Sequence, residues 1–195
     1  MEYLKSKLIL FYLLFTGIIA MTTLSCGKGT SNQEANEEGF KVIENELKSK
    51  FGDNAYYTDI LISHHDRIGN IISLTVTEAP ESLKMGQWNL TQDSWTQSSD
   101  VTLEVPEGTK ASDFMFQLND KINLAKVGAL VEKSAKHLID EKNIENPTLY
   151  NTLVKYPKNG DISKMEYSIS MKPENGGTTF RFYYTLDGEL IKMDY

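Results

Sequence analysis

The chain has 195 residues, one of them cysteine, and a net charge of −7. That size suits one ordinary domain or two small ones. The acidic balance speaks against nucleic acid, whose phosphates call for basic patches, and against adsorption to anionic lipid through charge. A lone cysteine excludes an internal disulfide, so the fold must be held by its core.

The first element is an export signal. Lys5 and Lys7 form a short basic start, and Leu8 to Met21 is an apolar run broken only by Thr16 and Gly17. Such a run is short for a membrane span, which takes about 20 apolar residues, and suits a signal core of about 7–15. Thr23-Leu24-Ser25 then lead into Cys26-Gly27. This order resembles a bacterial lipoprotein precursor cut before its cysteine. Small Ser25 fits the cleavage position, while Thr23 stands where such signals usually carry leucine. The resemblance implies a diacylglyceryl thioether on Cys26, a palmitate-type chain on its amino group, and membrane attachment through that N-terminal lipid. The expected location is the cell envelope, at the periplasmic or surface side of the outer membrane. Cleavage of 1–25 leaves 170 residues with a net charge of −8.

Residues 26–38 are polar and glycine-containing, with almost nothing to bury, and read as a flexible tether. Phe40, Ile43, Leu47 and Phe51 then recur at helical spacing, with Glu44–Lys48 and Glu46–Lys50 as i,i+4 pairs and Gly52 as a stop. A helix is expected over about 38–51. Strands are expected over 59–65 and 71–77 around Gly69-Asn70, then over 85–90, 94–97 and 101–105. Residues 106–112 form a loop, and 114–118 a strand or an early helical turn. Asn119 or Asp120 caps a second helix to about Asn143, with Ile122, Ala125, Ala129, Leu130 and Leu138 on one stripe. Met165, Tyr167, Ile169 and Met171 alternate with polar residues, as do Phe180, Phe182 and Tyr184. Asn159-Gly160 and Asp187-Gly188 are hairpin turns.

The fold class is α+β, with helices on an antiparallel meander sheet. The chain reads as two tandem α-β4 repeats, 39–106 and 107–195, or as one mixed sheet with two helices on one face. For the repeat, Gly69 and Gly160 lie 91 residues apart, as do Gly86 and Gly177, Leu74 and Met165, and Val76 and Tyr167. A tandem helix-and-four-strand chain closing on Phe182-Tyr-Tyr-Thr-Leu-Asp-Gly-Glu-Leu-Ile191 resembles the β-lactamase-inhibitor-protein and PepSY-like exported proteins. That resemblance implies protein or peptide binding on a concave sheet face and no catalytic residues. A cystatin-like or nuclear-transport-factor-like fold gives a similar pattern.

The sequence offers no catalytic constellation. His64 and His65 are neighbours on a strand and point to opposite faces, and His137 has no helical partner, so no metal site is expected. Gly176-Gly177 precedes a strand and is a turn, not a phosphate cradle. No cofactor is expected. Trp88 and Trp95, among polar residues, form either a binding platform or plugs for the core of the first sheet. Arg181 and Tyr183 make a second polar aromatic patch. The expected function is non-enzymatic binding or assembly at the envelope, with a protein or peptide partner on a sheet face. Inhibition of an exported enzyme and hydrolysis of cell-wall glycan are the alternatives.

Overall fold

The computed structural model describes residues 29–156 and 160–195. The signal segment 1–25, Cys26 and Asn159 of the expected turn lie outside the described residues. Helix α1 spans Glu37–Phe51 and starts at Asn36, whose side-chain oxygen accepts from the Gly39 amide at 2.9 Å. Glu37 and Glu38 open it and Lys48 and Lys50 close it, the order the helix dipole favours. Phe40, Ile43, Leu47 and Phe51 are buried as their spacing implies. Each contributes about 1.5–3 kcal/mol by leaving water.

Glu44 departs from the expected exposed pairing. It is buried, and while one oxygen takes Lys48 at 2.6 Å, the other accepts from the Leu124 amide at 2.6 Å. Leu124 is the first residue of helix α2, Leu124–Lys142, so one carboxylate satisfies an orphan amide and complements that helix's dipole. The expected Glu46–Lys50 pair is replaced. Glu46 accepts from Trp95, and Lys50 lies 5.0 Å from the Trp88 ring centre.

Among the described residues four strands follow each helix: β1 (Tyr56–His65), β2 (Gly69–Thr77), β3 (Lys84–Thr91) and β4 (Ser94–Thr102) after α1, and β5 (Pro147–Lys155), β6 (Glu166–Pro173), β7 (Phe180–Thr185) and β8 (Leu190–Asp194) after α2. They form one sheet in the order β4-β3-β2-β1-β5-β6-β7-β8. Every pairing is antiparallel, so the sheet is not mixed. A helix and a four-strand meander occur twice in the chain, and the halves join where β1 pairs β5. Both helices pack on one face, over a core that includes Ile60, Ile62, Ile72, Leu74, Tyr167, Ile169, Phe182 and Tyr184. The first strand of each half carries a register shift against the second, at Thr58 in β1 and Tyr150 in β5. Those positions lie 92 residues apart, not 91. In β2 and β6 the matching residues are Leu74 and Ile169, because the connection between β5 and β6 is longer than the turn between β1 and β2.

Several sequence expectations need correction. Strand β4 runs unbroken through Ser98–Asp100, because an exposed edge strand accommodates polar residues on both faces. Strand β5 has no counterpart in the sequence reading. Its alternation is broken by the shift at Tyr150, and one of its core positions is the buried, polar Thr152. Helix α2 is capped by Asn123, which accepts from the Lys126 amide at 2.8 Å. Asn119 instead turns the preceding loop by accepting from the Lys121 and Ile122 amides. The buried stripe of α2 holds Val127, Gly128, Val131 and Ser134, with Ala125 and Ala129 only half-buried. Gly128 is the small residue at the close approach, set against the backbone of Asn36. In 114–118, Phe116 makes a single bridge to Tyr57.

The tether expected over 26–38 is corrected from Gly29 onward. Thr30–Asn32 form a single 3-10 turn docked on two hairpins. The Ser31 amide donates to Asp93 Oδ1 at 2.7 Å, and the Asp93 amide donates back to Ser31 Oγ at 2.9 Å. Asn70 Nδ2 donates to the Gln33 carbonyl at 2.8 Å. Ser31 and Asn70 are both fully buried. Composition argued for disorder because it counts only apolar burial, whereas this segment is held by paired polar groups.

Candidate functional site

The helices leave the second face of the sheet open, except at one end of the first half, where Ala111 and Met115 bury Met85 of β3. Register places Thr96, Asn89, Ser73, Leu61, Leu153, Ser168, Tyr183 and Lys192 in one row across it, from β4 to β8. The row is polar at both ends and apolar at Leu61 and Leu153, where the halves meet. A groove of about 600 Å³ opens over the second half, floored by those leucines and by Asn151 and Ser168. That volume is typical of sites that bind small molecules or short segments.

The groove is cationic in an acidic protein. Lys155, Lys164 and Arg181 line it against one carboxylate, Glu166. Arg181, which lines the groove, donates from Nε to Ser170 Oγ at 3.3 Å, a bond that steadies the guanidinium and uses one of its five N–H donors. Lys164 pairs with Asp161 at 3.6 Å. Tyr183 is covered on one side by Lys192, whose ammonium lies 4.5 Å from the ring centre and also pairs with Asp194 at 2.8 Å. Tyr156 closes the near end, its hydroxyl donating to the Gly160 carbonyl at 3.1 Å. Burial, with Asp113 and Asp161 nearby, pushes that phenol's pKa up and keeps it neutral.

Two of the four predicted binding residues share this groove. Arg181 and Tyr183 alternate with the buried Phe180, Phe182 and Tyr184 and so face outward together. Trp88 and Trp95 lie on the other face, under α1, where Phe51 meets them edge-on at 5.5 and 5.1 Å between ring centres. The expectation of a tryptophan platform is therefore corrected in favour of the core role. Both rings are partly buried, and Trp95 gives its indole hydrogen to Glu46 at 2.9 Å. Polar neighbours in sequence misled because β3 and β4 alternate: Asn89 and Thr96, next to the tryptophans, point the other way, while Gln97 pairs with Trp88 and shares its face. The sequence reading missed Leu61, Leu153 and Lys155. The signal for them was the parity of β1 and β5, readable only once the β5 register shift is known.

His64 and His65 part as expected. His64 Nδ1 meets Asn70 Oδ1 at 3.0 Å, and His65 is exposed, taking the Arg67 amide at 3.3 Å. His137 packs edge-on against Phe182 at 5.6 Å. Among the described residues, no three His, Cys, Asp or Glu side chains converge as a metal site, and no helix is long and apolar enough to cross a membrane. Compared with known proteins, the chain matches no protein family and no curated protein.

Proposed function

We propose that the protein is a membrane-tethered, non-enzymatic binding protein of the cell envelope that captures a protein or peptide partner on the open face of its sheet. The observation that carries this reading is the uncovered face itself, with its groove over Leu61 and Leu153 flanked by Arg181 and Tyr183. Tyrosine and arginine over an apolar floor are the residue types that dominate binding surfaces. An exported enzyme is one partner of that class. Glycoside hydrolysis uses a pair of carboxylates, and Glu166 alone lines this groove among the described residues. The matching register shifts of β1 and β5 support a duplicated α-β4 unit as the origin of the sheet.

The tether also belongs to this reading. Gly29 is held beside the β3–β4 turn by Ser31, two residues on, and Cys26 lies three residues before it. Three residues span at most about 10 Å. A lipid on Cys26 would thus hold the β3–β4 turn within reach of the bilayer. Cys26→Ser should abolish labelling by a fatty-acid probe, and unchanged labelling would reject the anchor. Tyr183→Ala and Ser168→Tyr should each weaken partner capture at least about tenfold, or about 1.4 kcal/mol, at unchanged thermal stability. Full capture by both folded variants would reject the open face.

A further inference from the structure

The groove's charges sit at the ends of a diagonal. Arg181 registers with Ser170 and through it with Asn151, and Lys155 lies four residues further along β5. Two strand spacings of about 4.8 Å and four residues of about 3.4 Å place their Cα atoms about 17 Å apart. Ser168 lies at the middle of that line, between Leu153 and Tyr183 in the same row. The surface there is lowest at the small serine, with an aliphatic wall on one side and an aromatic wall on the other. Among the described residues neither Lys155 nor Arg181 makes an ion pair, in contrast to Lys164 and Lys192, which have Asp161 and Asp194.

We propose that the groove takes an extended acidic peptide segment carrying carboxylates at positions i and i+4 and an apolar side chain at i+2. This inference rests on the open-face reading and names its ligand class. In an extended chain, even spacing puts all three side chains on one face, and i to i+4 covers about 14 Å, a gap the long lysine and arginine side chains close. One carboxylate meets Arg181, whose planar fork binds carboxylates bidentately. The other meets Lys155, and the apolar residue seats over Ser168 between Leu153 and Tyr183. Lys155 lies between Asp59 on β1 and Glu166 on β6, which leaves room there for one peptide carboxylate and disfavours a further acid at that end. Acids elsewhere on the surface add little, because charges beyond about 8–10 Å are screened at physiological salt, so Arg181 carries most of the preference and Lys155, beside Asp59 and Glu166, the smaller share.

The test uses the full-length protein in detergent and three labelled, end-capped pentapeptides: Glu-Thr-Val-Thr-Glu, Gln-Thr-Val-Thr-Gln and Lys-Thr-Val-Thr-Lys. The acidic peptide should bind at least about tenfold more tightly than the other two, and less tightly as salt rises. Arg181→Glu should remove that preference and Lys155→Glu should reduce it, and the double variant should favour the lysine peptide. Should a reversal variant fail to fold, Lys155→Gln and Arg181→Gln carry the same comparison. Equal binding of all three peptides, or acidic binding indifferent to both charge changes, would overturn the proposal. If binding is equal but lost in Tyr183→Ala, the open face stands and only the acidic class falls. If no peptide binding responds to Tyr183→Ala, both readings fall.

Discussion

Gly128→Ala sets two rules against each other. By helix propensity the change should stabilise, since alanine is favoured over glycine in a helix interior by about 1 kcal/mol. Packing opposes it. A Cβ on Gly128 would sit 2.5 Å from the Asn36 carbonyl carbon and 2.8 Å from the Glu37 nitrogen, and closer still to the Asn36 carbonyl oxygen. These are backbone atoms, so no side chain can swing aside, and α1 and α2 must separate. Overpacking of this kind costs about 1–3 kcal/mol. Asn36 also caps α1, and its carbonyl takes the Phe40 amide at 3.0 Å. Displacing that cap adds about 1 kcal/mol. The net expectation is a loss of about 2 kcal/mol, or a melting temperature lower by roughly 4–8 °C for a domain of this size. Urea unfolding followed by circular dichroism measures it. Ala129→Gly, one residue on and only half-buried, should lose only about 1 kcal/mol of propensity. An unchanged or higher midpoint for Gly128→Ala would refute the close helix approach.

Three further predictions concern polar groups. Glu44→Ala strips the Leu124 amide of its acceptor and should cost about 2–3 kcal/mol, while Glu44→Gln keeps an acceptor and should cost about half as much; equal losses in urea unfolding would reject that bond. Burial raises the phenol pKa values of Tyr57, Tyr167 and Tyr184, with Tyr167 pushed up to about 12, so these groups stay protonated in the fold when the unfolded chain ionises near pH 10. Their stabilising effect is complete below pH 10 and is lost as pH rises toward 12, about 3 kcal/mol for Tyr167 alone, and a urea midpoint that stays flat over that range would contradict it. Asp93→Ala removes the acceptor for Ser31 and should speed hydrogen exchange of that amide at least about tenfold, with the sheet amides unchanged; exchange as slow as before would refute the docking of the N-terminal segment.

Elements with one clean period were legible in the sequence. The stripe from Phe40 to Phe51 and the alternation through Met165–Met171 and Phe180–Tyr184 each carry a buried face that a single period describes. Features that depend on a distant partner were not. Glu44 looks like a surface helix residue until α2 is brought to it, and Ser31 looks like linker until Asp93 is. The centre of the sheet was hidden for the same reason. A register shift in β5 and a buried threonine disguise the strand that supplies Leu153 and Lys155 to the groove. Arg181 and Tyr183 could be picked because β7 alternates without interruption. The tryptophans were ambiguous because sequence neighbours on a strand occupy opposite faces, so polar company says nothing about what a ring touches.

The open face can be tested by replacing Tyr183 with a photo-crosslinking phenylalanine in cells making the full-length protein, with the same group at the exposed Lys136 on α2 as reference. A discrete partner adduct from position 183 and none from position 136 is the predicted result. An adduct from position 136 alone, or equal adducts from both, would contradict the assignment of binding to the open face.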